Sequence, residues 1–194
     1  MAQRLVFLVL LSVATLQAAG CSASLFKVKP VTELPALADS AKHADAGGVT
    51  IRVAPLLTDE ESQDLFEANL PLSGVLPVRL ELRYESGVPV ETKQARFRLR
   101  DTEGREWKLL SPKQAISRIL KANGVFAYNP HSRKQFEKEF TAYALDVKTP
   151  LSANDSTHQG FLFFQSPTNR PVESVDKLTL TLERLPQTAT IDLN

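Results

Sequence analysis

Val78-Arg79-Leu80-Glu81-Leu82-Arg83-Tyr84-Glu85 alternates apolar and charged side chains without a break. A period of two puts Val78, Leu80, Leu82 and Tyr84 on one face of an extended chain, with the charges on the other. Such alternation suits an antiparallel sheet with one face on a core and one in water. Downstream, Ser86-Gly87 marks a turn, and Ala95, Phe97 and Leu99 alternate with Arg96, Arg98 and Arg100. Asp101-Thr102-Glu103-Gly104 has hairpin chemistry, because glycine supplies the positive φ of a tight loop. Trp107 and Leu109 on the return strand are expected to face the core.

The same pattern recurs further out. Val49, Ile51 and Val53 alternate with Thr50, Arg52 and Ala54, which starts the folded part at Val49. Near the C-terminus, Leu178, Leu180 and Leu182 repeat the alternation, followed by Ala189, Ile191 and Leu193. Phe161-Leu162-Phe163-Phe164 is apolar on both parities, as in a strand covered on both faces.

Helical signals interrupt the strands. Asp59 to Phe66 reads as a short helix. Ser111-Pro112-Lys113-Gln114 offers an N-cap, proline at the first helical position and a capping-box glutamine. Ala115, Ile116, Ile119 and Leu120 supply that helix's apolar stripe, and Asn123-Gly124 stops it. Ser132 to Gln135 repeats the capping pattern, with Phe136, Phe140, Tyr143 and Ala144 at helical spacing behind it. These aromatics are expected in the core, since an amphipathic stripe normally faces the interior.

The first residues have a different character. Arg4 precedes an apolar run at 5–11, and Ala18-Ala19-Gly20 leads into Cys21. A charged start, a short apolar core and a small-residue exit make a secretory signal. The run falls short of the roughly 20 apolar residues a membrane span needs. Leu16-Gln17-Ala18-Ala19-Gly20-Cys21 resembles the lipobox of bacterial lipoproteins, departing at Ala18, where leucine is commonest. The resemblance implies removal of residues 1–20 and a diacylglycerol on the Cys21 sulfur. Cys21 is the sole cysteine, so it has no internal disulfide partner. Two or more acyl chains hold a protein stably on a membrane. Ser22 follows, rather than the aspartate that tends to retain lipoproteins in an inner membrane. The resemblance therefore implies an envelope protein on the periplasmic side of the outer membrane. Residues 21–48 lack a sustained period and read as a flexible tether, spanning roughly 30 Å.

The chain carries 23 Lys and Arg against 22 Asp and Glu, so losing Arg4 with the signal leaves the mature protein without net charge. No global charge points to nucleic acid. Basic residues nevertheless crowd residues 93–140, among them Arg96, Arg98, Arg100, Arg105, Lys108, Lys113, Arg118, Lys121, Arg133, Lys134 and Lys138. Such a run is either a solvated face or a surface for anionic headgroups or an acidic partner.

Catalytic and metal chemistry find little support. His43, His131 and His158 share no ligand spacing, so no metal or cofactor is expected. The sequence has no G-x-S-x-G elbow and no phosphate loop. Asp155-Ser156-Thr157-His158 holds triad residue types but reads as a polar loop, because triads assemble from distant segments. Leu70, Leu72, Val75 and Leu76 are either core at a strand start or an exposed patch.

About seven strands with turns between them favour a mainly β fold, an antiparallel β-sandwich with two short helices inserted between strands. A small barrel would give the same pattern. Gly160 to Phe164, a proline-containing turn and the following leucine strand are similar to the immunoglobulin-like domains of exported bacterial lipoproteins. The expected role is a non-enzymatic binding or structural module at residues 49–194, anchored to the membrane and meeting an envelope-protein or cell-wall partner. Two alternatives stand beside it. One is an accessory or enzyme subunit acting on envelope polymers, using His131 or His158 beside Asp155. The other is a carrier of a hydrophobic ligand held by Phe161, Phe163 and Trp107.

Overall fold

The structure is a computed structural model describing residues 25–126 and 128–194. The leader expected at residues 1–20 and the lipidation expected at Cys21 lie outside the described residues. The strands are β1 (Lys42–Asp45), β2 (Val49–Pro55), β3 (Val75–Tyr84), β4 (Arg96–Arg100), β5 (Glu106–Leu110), β6 (Thr157–Gln165), β7 (Thr179–Glu183) and β8 (Ala189–Asp192). Helix α1 (Asp59–Phe66) lies between β2 and β3, and α2 (Pro112–Ala122) and α3 (Pro130–Thr141) lie between β5 and β6.

The protein is mainly antiparallel β, but the expected two-sheet sandwich is replaced by a single curled sheet. Its eight strands run in the order β1-β2-β3-β6-β5-β4-β7-β8. The two end strands lie against each other, and Gln187 N donates to Ala46 O at 3.2 Å beside them. The sheet is thus nearly a closed barrel. Curling lets one sheet bury its own apolar face, which two flat sheets would otherwise do by stacking.

The register shows how. Leu80 sits opposite Gly160, Leu82 opposite His158, Phe97 opposite Leu182 and Leu99 opposite Leu180. Ile51, Val53, Leu80, Leu82, Leu99, Phe164, Leu180 and Ile191 fall in one buried cluster, the barrel interior. A second cluster lies on the outer face of β3, β5 and β6, under the helices. There Phe161 and Phe163 meet Phe66 of α1, Ile116 and Ile119 of α2, and Phe136 and Phe140 of α3. Strand β6 is therefore apolar on both parities because it is covered twice.

The helix starts follow local chemistry. Thr58 caps α1 by accepting from Glu61 N at 3.2 Å, while Glu61 Oε2 accepts from Thr58 N at 3.3 Å. Ser111 caps α2 in the same reciprocal way with Gln114. Helix α3 begins earlier than Ser132. Asn129 is its cap, with its side chain accepting from His131 N at 2.8 Å, and Pro130 takes the first helical position. Proline's fixed φ and missing N–H suit that place, so the Asn-Pro pair outcompetes the serine downstream.

Two further expectations are corrected. From Leu25 onward the supposed tether is part of the fold. Phe26 packs on Phe136 with ring centroids 5.1 Å apart, Lys29 N donates to Leu65 O at 2.9 Å, and β1 pairs with β2. Isolated apolar residues, Val28 and Leu37, are buried without any helical or strand period. On β5, Leu109 is 40% exposed and Leu110 is buried instead. The strand runs straight into α2, which draws Leu110 under the helical layer opposite Phe163.

Candidate functional site

The structure separates the three aromatic residues expected to hold a hydrophobic ligand. Phe161 and Phe163 belong to the aromatic layer between sheet and helices, whereas Trp107 lies in the barrel interior. Phe140 and Phe163 stack at 4.8 Å, and Phe66, Phe140, Tyr143 and Phe161 make further pairs at 5.1 to 5.9 Å. Each such pair contributes about 0.5–1.5 kcal/mol beyond burial. Leu70, Val75 and Leu76 are fully buried, and only Leu72 of that group is exposed.

The histidines are dispersed. His43 lies on β1, and His131 sits exposed in the first turn of α3. His158 is buried at the start of β6, with its Nε2 3.2 Å from Asp155 Oδ2. Asp155 and His158 thus do meet, while His158 Nδ1 is buried without a hydrogen-bond partner among the described residues. Among the described residues, no group of three or more His, Cys, Asp and Glu is placed to hold a metal. No described helix is long and apolar enough to cross a membrane.

The basic run resolves into two classes. Arg98 pairs with Glu183 at 3.6 Å, Arg100 with Glu106 at 3.4 Å, Arg105 with Asp101 at 2.7 Å and Arg133 with Glu137 at 2.6 Å. Arg96, Lys108, Lys113, Arg118, Lys121, Lys134 and Lys138 make no ion pair among the described residues, and Lys108, Lys113, Arg118 and Lys121 gather around α2. On α2, the Lys113, Ser117 and Lys121 positions recur every four residues, on the side opposite the buried Ile116 and Ile119 stripe.

Lys108, Lys113, Arg118 and Lys121 line two adjoining clefts that share Arg118. One cleft, about 400 Å³, is bordered by Arg118, Lys121, Ser73 and Asn169. The other, about 350 Å³, is bordered by Lys108, Lys113, Ser117, Arg118 and Gln165. Among the described residues, no acidic side chain lines either cleft. Arg118 is held in place, donating from Nη1 to Asn169 Oδ1 at 3.2 Å and from Nη2 to Ser73 O at 3.3 Å. Its Nε is buried and has no partner among the described residues. A fixed guanidinium ringed by lysines can accept a carboxylate or phosphate group, with arginine giving the geometry and the lysines adding charge. The α2 spacing was readable in the sequence. That Arg98 and Arg100 would be neutralised across strands, by Glu183 and Glu106, was not.

The chain matches no protein-family model, no curated protein and no solved structure.

Proposed function

We propose that this protein is a bacterial envelope lipoprotein, anchored through acylated Cys21, whose barrel domain is a non-enzymatic module binding an acidic envelope partner. The observation that carries the binding part is the acid-free pair of clefts around Arg118. Among the described residues, no carboxylate lines those clefts beside Lys108, Lys113 and Lys121. A surface of one sign in a concave setting focuses its field and raises the local concentration of oppositely charged partners. The anchor rests on the lipobox-like stretch ending at Cys21, and outer-membrane delivery on Ser22 after it.

Two measurements test the reading. Intact-mass analysis of the membrane fraction should find the added acyl mass on the mature protein, and Cys21→Ala should abolish it and the membrane retention. A photo-crosslinker placed at Ser117 should capture a reproducible acidic partner in cells. The double charge reversal Lys113→Glu with Lys121→Glu should remove that product. An unchanged crosslink pattern in the reversed variant would discard the binding surface, and a bare Cys21 would discard the anchor.

A further inference from the structure

Away from the Arg118 clefts, β3 carries a buried charge, Arg79, with no ion pair among the described residues. Arg79 points to the outer face of the sheet opposite Phe161 and is 93% buried, with only 7% of its surface exposed. Its Nη2 reaches Gln159 Oε1 at 3.3 Å, and its Nε is buried with no partner among the described residues. The nearest acid on its own strand, Glu81, is engaged by Arg52 at 3.4 Å. Burial pulls the Arg79 pKa below the ordinary arginine value, with Glu81 opposing that pull. A buried cation without a carboxylate is costly unless something supplies the missing acceptor.

Arg79 lines a pocket of about 260 Å³ whose walls are otherwise mostly apolar, including Leu37, Pro55, Leu56, Leu65 and Phe161. Residues 34–38 form one wall. Arg52 pins that wall by donating from Nη2 to the carbonyls of Leu37 at 3.1 Å and Ala38 at 2.9 Å. Two acids also border the pocket, and both are already engaged. Glu61 accepts from Thr58 in the α1 cap, and Asp64 pairs with Lys29. The pocket therefore combines one under-used guanidinium with a greasy enclosure, a few polar groups fixing an otherwise apolar ligand.

We infer that this pocket binds a small amphipathic monocarboxylate, with its head on the Arg79 guanidinium and its apolar body between residues 34–38 and α1. The size sets the class, because about 260 Å³ lies just below the roughly 300–1,000 Å³ of drug-sized ligand pockets, which suits a short acyl chain. A carboxylate offers the two acceptors that a guanidinium fork engages together. This site is independent of the anchor and of the Arg118 clefts.

Calorimetric titration of the purified full-length protein with octanoate and with octanol tests it. Octanoate should bind at least about tenfold more tightly than octanol. Arg79→Met should erase that preference and leave octanol binding unchanged. Ala36 is exposed on the pocket wall, so Ala36→Trp should block both ligands without touching the core. Thermal melting of each variant confirms that it is folded. Equal affinity for octanoate and octanol overturns the assignment, as does undiminished octanoate binding in either variant.

Discussion

Gly160 and Leu145 approach so closely that a Cβ on Gly160 would come within 2.6 Å of the Leu145 Cα and backbone N. The approach has a purpose in the fold. Leu145 N donates to Phe161 O at 3.1 Å and Phe161 N to Tyr143 O at 2.7 Å, which stitches residues 143–145 onto the side of β6. Gly160→Ala should therefore destabilise the protein by about 1–3 kcal/mol, the usual cost of overpacking. Urea unfolding would measure it, and an unchanged midpoint would show that the two segments can part freely.

The aromatic layer holds the helices to the sheet, and Phe140 is its hub, within 4.8 to 5.7 Å of Phe66, Phe136 and Phe163. It is fully buried. Phe140→Ala should cost about 3–5 kcal/mol, from lost burial and the cavity left behind. Leu72→Ala, at an exposed position, should change stability by no more than about 0.5 kcal/mol in the same assay.

The start of α3 can be read by mutation. Asn129→Ala removes the side chain that accepts from His131 N and should cost about 0.5–2 kcal/mol. Ser132→Ala should cost almost nothing, since Ser132 lies inside the helix rather than at its cap. The reverse ranking in thermal melts would restore the later start.

Acid should weaken the β4–β5 hairpin. Burial pushes the Asp101 carboxyl up, but hydrogen bonds from the Arg105 side chain and backbone, the Arg105 charge and the Glu103 amide outweigh it and hold the group below its ordinary value. A carboxylate depressed by folding contributes stability that is complete above its unfolded pKa of about 3.9 and is lost as pH falls through the lower folded value. Asp101→Asn should thus lose less stability than the parent between neutral pH and strong acid. Parallel denaturation midpoints across that range measure the difference.

In the absence of ligand, Arg79→Met should leave the unfolding free energy unchanged or raise it by about 1–4 kcal/mol, because replacing a buried charge with an apolar group of similar length is often favourable. A large loss in denaturant melts would mean that the arginine is fully satisfied within the fold.

The faces of single elements were legible because they depend on local period. Leu80 and Leu82 turn to the barrel interior, and Ile116 and Ile119 form the buried stripe of α2, as alternation and helical spacing required. Alternation said that both faces of β6 would be covered, but not that Phe161 and Phe163 would meet the helices while Leu162 and Phe164 fill the barrel. Which strands would neighbour each other was not legible. Period two says which side of β4 is apolar, but not that Leu99 lies opposite Leu180 rather than a partner in a second sheet. The same limit hid the charge surface. Arg98 is neutralised by Glu183, far away in sequence, while Arg118 is left to line open clefts. Val28 and Leu37 carry no sequence signal, because single apolar side chains in a stretch broken by Pro30 and Pro35 have no period, although the fold buries both.

The docked N-terminal segment also fixes a leash. Four residue steps separate Cys21 from Leu25, and a chain advances at most about 3.6 Å per step, so the reach is about 14 Å. With acyl chains on Cys21, the flank where Phe26 meets Phe136 would be moored close to the lipid headgroups. Every such copy would then keep that flank within the same short radius of its anchor, a limit set by the folded chain itself.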